Sequence, residues 1–243
     1  MRLDPEQAGN DRQSLASALR DLRRAAGLSG ERLARRCHLA RVANTEYQDI
    51  RASVRRGLHH RQRELAALEA DARQMRHFLP ALITGLLQTP EYMRAAMDTP
   101  VEPAAGDTTT AIALKLERQA ILHDKSKHFE FLLTESALRW QLCEPSVMAV
   151  QLDRLVSLSR LPNIRIGILP FGIQVGDGPY HTFVIYDDHI VTIELFTGQL
   201  ILRDPKDIDH YHALASFFGG HALWKDAARD LISETAAHYR AAG

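Results

Sequence analysis

The stretch LPNIRIGILPF, residues 161–171, carries the clearest β-strand pattern in the chain, because Ile and Leu recur between Pro162 and Pro170. Three apolar runs follow it: HTFVIYDD at 181–188, HIVTIELF at 189–196 and QLILRD at 199–204. We expect a turn at Asp187–Asp188 between the first two runs. This part of the chain therefore predicts consecutive strands.

Helical patterns surround the strands. FEFLLT, at 129–134, alternates like a strand and lies between predicted helices at 109–123 and 145–160. A last helix is predicted over 205–239, and another begins near Thr89 with Pro90 at its first position. We therefore predict an α+β fold, with a small mixed or antiparallel sheet packed with helices, over residues 79–243.

The N-terminal third of the chain is predicted to be helical throughout. Residues 13–26 form one amphipathic pattern that ends at Gly27, and Ser29 can cap a second helix that runs to Cys37. We interpret residues 1–43 as part of a helix-turn-helix and residues 44–78 as one long connector helix.

The charge of the chain is balanced in total but divided along its length. The 30 Lys and Arg residues match the 30 Asp and Glu residues. Residues 12–63, however, contain thirteen Arg, no Lys and four acids, a net charge of +9. A basic segment of this kind binds phosphate or an acidic partner. The alternative is that it docks on the acidic half of the same protein or of its dimer mate.

Several functional classes lack their signatures. No apolar run reaches membrane-spanning length and no secretory signal begins the chain, so we expect a cytoplasmic protein without membrane contact. Cys37 and Cys143 have neither disulfide nor zinc spacing, and no phosphate-binding, dinucleotide, serine-hydrolase or metalloprotease motif occurs. We expect neither a metal nor a cofactor.

Two carboxylates are candidate site residues because each follows a run of β-forming residues, where strand ends commonly carry ligand contacts. Glu135 can alternatively cap the helix that begins with SALRW, in which Arg139 lies. Glu194 has apolar neighbours, so it either points outward or is buried with a partner.

The loop GIQVGDGPYHTF, residues 172–183, is a further candidate. It offers flexible backbone, the aromatic ring of Tyr180 and the imidazole of His181 to a ligand. A plain flexible turn explains the same residues, and both interpretations stay open.

Five segments in order, FLPALITGLLQTPEYMRAAM, LKLERQAILHD, LLTESALRW, LPNIRIGILPF and the run from Tyr180 to Tyr211, resemble the motifs of the DUF5753 family. That domain of unknown function follows XRE-type helix-turn-helix heads in bacterial regulators often encoded near secondary-metabolite genes. LRDLRRAAGLSGERLARRCHLA, residues 19–40, resembles the opening of such a head.

The resemblance to the head stops early. The usual recognition helix does not follow residue 40, and residues 41–62 resemble the connector that normally comes after the complete head. The recognition helix supplies the base contacts in this motif. We therefore expect at most weakened or nonspecific DNA binding through phosphate contacts of Arg20, Arg23, Arg24, Arg35 and Arg36.

The resemblance implies a transcriptional regulator, or a protein derived from one, whose C-terminal domain binds a small molecule or a partner protein. An alternative is a cofactor-free enzyme that acts on a small metabolite, with His181 and Glu194 as an acid–base pair. Its pocket would be framed by Gln88, Arg139, Tyr180, His181 and Glu194, with Glu135 as a further ligand-binding candidate. A third hypothesis is a homodimeric, antitoxin-like interaction module that pairs through the helix at 44–78.

Overall fold

The computed structural model describes residues 44–49, 58–98 and 108–242, together with isolated positions between Ser17 and Ser29. In chain order the elements are β1 (Thr45–Asp49), α1 (Leu58–Asp71), β2 (Gln74–Leu79), α2 (Pro90–Met97), α3 (Thr108–Arg118), a short 3-10 helix (Gln119–His123), β3 (His128–Thr134), α4 (Glu135–Arg139), α5 (Pro145–Leu158), β4 (Ile164–Leu169), β5 (Phe183–Tyr186), β6 (Ile190–Glu194), β7 (Gly198–Leu202), α6 (Pro205–Gly220), β8 (Leu223–Trp224) and α7 (Lys225–Ala242). Over these described ranges, no helix has the length and apolar character needed to cross a bilayer.

The strands form one mixed sheet in the order β1-β7-β6-β5-β2-β3-β4-β8. Strands β2, β3 and β4 are parallel, whereas β5 pairs antiparallel with β2 and continues through β6 and β7 as antiparallel neighbours. Helices cover the sheet, so the predicted α+β fold with a mixed sheet is confirmed.

The sheet separates two apolar cores because side chains alternate between its faces. On the first face, Met75, Phe131 and Ile166 pack against α5 and α7 in a cluster that includes Leu152 and Ile232. On the second face, the core is formed with α6; its members include Phe78, Leu132, Phe183, Ile208 and Phe218. Strands β2 and β3 contribute to both clusters, and they therefore form the buried centre of the domain.

The predicted connector helix over 44–78 is wrong in its extent. Only Leu58–Asp71 is helical within the described part of that range, and strands β1 and β2 flank it in sequence. Strand β2 pairs with β3 on one edge and with β5 on the other. Short apolar runs fit both helical and strand spacing, and pairing with β3 and β5 makes this segment a strand.

The C-terminal helix is also interrupted. Residues 205–239 are divided by β8, which pairs antiparallel with the outer edge of β4. The ring of Trp224 lies directly over Gly167, where a Cβ atom would come within 2.6 Å of the ring. Gly167 therefore permits the close approach of Trp224 in the short strand between α6 and α7.

Two local predictions are confirmed. Thr89 caps α2, since its hydroxyl accepts a hydrogen bond from the Tyr92 backbone N–H, and Pro90 is the first helical residue. Asp187 forms the turn between β5 and β6 with a φ of +50°, and its carboxylate accepts a hydrogen bond of 2.7 Å from the Gln74 backbone N–H. The turn thereby also fixes the start of β2.

Few positions of the N-terminal segment are described. Arg20, Asp21 and Arg23 are helical, and Gly27 has a φ of +62°, the left-handed conformation common just after a helix. The remainder of the two helices predicted between residues 13 and 37, including the segment that Ser29 was predicted to cap, lies outside the described residues.

Candidate ligand-binding site

A cavity of about 730 Å³ lies on the first face of the sheet. Its floor is formed by strands β2, β5, β6 and β7, and α1, α2, α3 and the loop at 82–88 surround it. Volumes of roughly 300–1,000 Å³ are typical of small-molecule sites. The cavity is therefore large enough for an organic molecule.

The wall of the cavity is mainly apolar. Most of its exposed surface belongs to apolar atoms, and its apolar lining residues include Leu65, Leu79, Leu82, Ile83, Ala96, Met97, Ala111, Val184, Tyr186, Leu195 and Phe196. Polar residues also line it: Glu69, His77, Thr84, Gln88, Lys115, Arg118, His181, Thr182, Thr192, Glu194 and Gln199. Apolar walls with a few convergent polar groups are the usual composition of a ligand site.

His77 lies in the floor of the cavity at the middle of β2 and is 4% exposed. Its ring stacks on Phe131, with 4.6 Å between the ring centroids, and neither ring nitrogen has a hydrogen-bond partner among the described residues. Burial, together with the positive charge of Arg118, lowers the pKa of His77 from 6.5 to about 3. His77 is therefore neutral at physiological pH and offers one donor and one acceptor.

A buried ion pair connects α1 with α3 beside His77. The Nε atom of Arg118 lies 3.0 Å from Oε2 of Glu69, and both side chains are almost fully buried. Lys127 holds the end of α1 in place, because its ammonium donates to the backbone carbonyls of Glu69, Ala70 and Ala72. The pair brings opposite charges together, and removal of either partner would take away that compensation from a buried charge.

Lys115 lies one helical turn before Arg118 on α3 and lines the same cavity. Its ammonium makes no hydrogen bond and no ion pair within the described ranges. Burial and the positive charge of Arg118 together lower the pKa of Lys115 from 10.5 to about 8, and the negative charge of Glu194 opposes the shift. The cavity therefore contains an amine that remains mostly protonated at neutral pH.

Gln88 closes one side of the cavity at the end of the loop. Its Nε2 donates to the Ile83 carbonyl at 2.7 Å, which leaves its buried Oε1 without a partner in the described structure. The Nε2 of Gln119 donates to the carbonyls of Gly85 and Gln88, and Gln151 exchanges hydrogen bonds with Leu87 and Thr89. These contacts fix the position of the Gln88 side chain.

The mouth of the cavity is formed by the loops on both sides of β5 and β6. Tyr180 is 83% exposed, and Phe196 is fully exposed in the turn before β7. Glu194 is an exposed residue that follows Thr192 on the cavity face of β6. Large aromatic side chains therefore stand in solvent at the entrance.

The structure places four of the predicted site residues, Gln88, Tyr180, His181 and Glu194, in the lining of this cavity. It does not join His181 to Glu194. The Nε2 of His181 lies 3.0 Å from the Tyr211 hydroxyl on α6, which packs on the second face of the sheet. Burial lowers the pKa of His181.

Glu135 and Arg139 are outside the cavity. Glu135 is the first residue of α4, and its Oε1 accepts a hydrogen bond of 2.6 Å from Arg139. Its Oε2 accepts one of 2.8 Å from the Phe171 backbone N–H. Glu135 therefore connects α4 to the loop after β4. It does not cap the helix as the alternative predicted, because Thr134 occupies the N-cap position and no side chain makes a capping hydrogen bond there.

The predicted phosphate contacts belong to the N-terminal segment. Arg20 is exposed and Arg23 is half-buried, whereas Arg24, Arg35 and Arg36 lie outside the described residues. Within the described residues, no group of three or more His, Cys, Asp or Glu side chains is arranged to hold a metal ion.

Four polar residues of the cavity were not predicted from the sequence: Glu69, His77, Lys115 and Arg118. One signal was present for α3, because Ala111, Lys115 and Arg118 are spaced by four and three residues and so share a helix face. His77 offered a weaker signal as a single polar residue in the apolar run QMRHFL. Its position in the floor of the cavity depends on the pairing of β2 with β3 and β5, which the sequence pattern does not indicate.

The neutral state of His77 makes stability depend on pH. The unfolded chain takes up this proton below about pH 6.5, whereas the folded chain resists protonation until about pH 3. The contribution of the neutral His77 ring to the free energy of unfolding is therefore fully present above pH 6.5 and is lost as the pH falls towards 3. We expect wild type to lose about 2 kcal/mol more than His77→Leu between pH 7 and pH 5 in urea unfolding.

The control for this prediction is His123→Gln, which alters an exposed histidine in the 3-10 helix and should unfold with the wild-type pH dependence. Equal losses in wild type and His77→Leu would contradict the assignment of a neutral, buried imidazole.

Residues 62–234 match a family described as "Domain of unknown function (DUF5753)". No curated protein sequence matches the chain. Solved structures are similar to it at low identity, among them these three. NucT from Helicobacter pylori is 12% identical over 74% of this chain and 98% of its own, with a TM-score of 0.42.

The phospholipase D family member Nuc from Salmonella typhimurium is 11% identical over 67% of this chain and 90% of its own, with a TM-score of 0.38. TrmBL2, an archaeal chromatin protein, is 11% identical over 90% of this chain and 66% of its own, with a TM-score of 0.37. These likenesses are too distant to indicate a function. The family match spans most of the chain, and the protein therefore belongs to the DUF5753 family.

Proposed function

We propose that the DUF5753 domain of this protein is a receptor for a small organic molecule, which binds in the cavity between the sheet and helices α1, α2 and α3. The observation that carries this proposal is the combination of a cavity of about 730 Å³, mainly apolar walls and buried polar atoms of His77 and Gln88 that have no partner within the described residues. Buried polar atoms normally have hydrogen-bond partners, and a ligand can supply them.

We further propose that ligand binding regulates the N-terminal segment. Helix α1 follows that segment in sequence and contributes Leu65 and Glu69 to the cavity wall. A ligand that contacts α1 can favour one arrangement of the chain before it, provided that it binds the two arrangements with different affinities. This role fits the resemblance of residues 19–40 to the opening of a helix-turn-helix head, and it makes DNA or a partner protein the regulated contact.

Filling the cavity tests the receptor proposal. Ala111 lines the cavity from α3, whereas Ala113 on the same helix is exposed. We expect wild type and Ala113→Trp to enhance the fluorescence of N-phenyl-1-naphthylamine, an uncharged apolar dye, with the same affinity. Ala111→Trp should bind it at least about tenfold more weakly, because the indole occupies the space of the dye.

Circular dichroism and thermal unfolding of each variant would establish that it is folded. Val184→Phe, which fills the cavity from β5, provides a second variant if Ala111→Trp is unstable. Unchanged dye affinity in a folded cavity-filled variant would contradict the receptor proposal.

The regulated contact requires a separate test. We expect the purified protein to bind promoter-length DNA detectably at about 50 mM salt and much less at about 200 mM, because Arg–phosphate contacts release counterions. Gel-shift titration at both salt concentrations would measure this difference. Absence of binding at the lower salt concentration would exclude DNA and leave a partner protein as the regulated contact.

A further inference from the structure

The polar groups of the cavity differ in whether they already have partners. Arg118 and Glu69 form an ion pair, so neither charge is free for a ligand at low cost. Glu194 stands at the solvent-exposed mouth. Lys115 is the cavity-lining cation without a hydrogen bond or ion pair within the described ranges.

The groups near Lys115 leave its charge poorly compensated. Arg118 faces it from the same helix, Glu69 and His77 come from α1 and β2, and Glu194 comes from β6. Glu69 is engaged by Arg118 and His77 is neutral, so among the described residues that line the cavity the exposed carboxylate of Glu194 is the acid that remains to balance the ammonium. A negatively charged ligand group would supply what the protein lacks, because burying an ammonium without a counterion is costly.

The rest of the cavity restricts what such a ligand can be. The side chains of Leu79, Ile83, Met97 and Val184 offer only apolar contact. The Oε1 of Gln88 can only accept a hydrogen bond, and the neutral ring of His77 presents one donor and one acceptor. A ligand with an apolar body, one acidic group and one hydrogen-bond donor complements all three regions.

We infer that the natural ligand of this cavity is an amphipathic organic anion. Its acidic group binds the Lys115 ammonium, and its apolar body lies against the apolar side chains of Leu79, Ile83, Met97 and Val184. This inference rests on the receptor proposal and adds the chemical class of the ligand. It excludes neutral apolar molecules and organic cations as preferred ligands.

A pair of dyes that differ only by an acidic group tests the inference. 8-Anilinonaphthalene-1-sulfonate is N-phenyl-1-naphthylamine with a sulfonate added, and both fluoresce on entering an apolar site. We expect wild type to bind the sulfonate dye more tightly than the uncharged one. Lys115→Met keeps the length of the side chain and removes its charge, and should weaken the sulfonate dye about tenfold or more, while the uncharged dye changes by less than about twofold.

Lys125→Met, which alters an exposed lysine before β3, is the matched control and should leave both affinities unchanged. Titration with pH gives a measurement that needs no mutation. Since the pKa of Lys115 is about 8, affinity for the sulfonate dye should fall as the pH rises from 7 to 9 in wild type. That fall should be absent in Lys115→Met.

The outcomes separate this inference from the receptor proposal. Equal affinities of wild type and Lys115→Met for the sulfonate dye would overturn the anion inference, and so would an equal loss for both dyes; in either case the receptor proposal stands. Failure of both dyes to bind folded wild type would overturn the receptor proposal and the inference with it.

Discussion

Strand β2 is buried on both faces and paired along both edges, by β3 and by β5. The buried side chains of this strand, Met75 and His77 to Leu79, must therefore meet either the apolar core or the cavity. Met75 and Leu79 fill the first face, and Phe78 stacks between Phe183 and Phe218 on the second. His77 is the exception, because a ring with two polar atoms occupies a position where water is largely excluded. The sheet tolerates this ring only in its uncharged form.

The same constraint, that a buried polar group needs compensation, applies to the charged residues of the helices that pack on β2. Glu69 from α1 and Arg118 from α3 can be buried because they compensate each other. Lys115, one turn away, has no ion-pair partner among the described residues, and burial together with the positive charge of Arg118 lowers its pKa. The fold is therefore less stable than it would be with apolar residues at these positions, because it keeps polar groups around an apolar space. Sites that violate the usual rules of burial are where function is expected.

Much of the domain could be predicted from local patterns. Strands β3 to β7, the Thr89 cap and the Asp187 turn follow from alternation, capping and turn chemistry. Glu194, Tyr180 and Gln88 were found because strand ends and loops commonly line sites. The prediction of a connector helix was wrong because the spacing of apolar residues in Gln74–Leu79 fits a helix as well as a strand. Its conformation depends on pairing with strands more than fifty residues away in sequence, as in the pairing of Met75 with Phe129.

The central part of the site was harder to predict. Glu69 on α1, His77 on β2 and the two cations of α3 come from three elements that meet only after the sheet has formed and α1 has packed on α3. His181 illustrates the same difficulty. It follows a glycine-rich loop, as expected of a site residue, yet its imidazole bonds Tyr211 on α6 instead of Glu194. Sequence identified the loop, and the tertiary packing determined where its side chain points.

The central claim is that this cavity is where the domain binds small molecules. Amide hydrogen–deuterium exchange, measured with and without saturating 8-anilinonaphthalene-1-sulfonate, tests it most directly because it locates the bound molecule on the chain. The account predicts slower exchange in β2, in α3 and in the loop at 82–88, with no change in α6 on the opposite face. Protection confined to α6, or an unchanged pattern around the cavity at saturation, would contradict it.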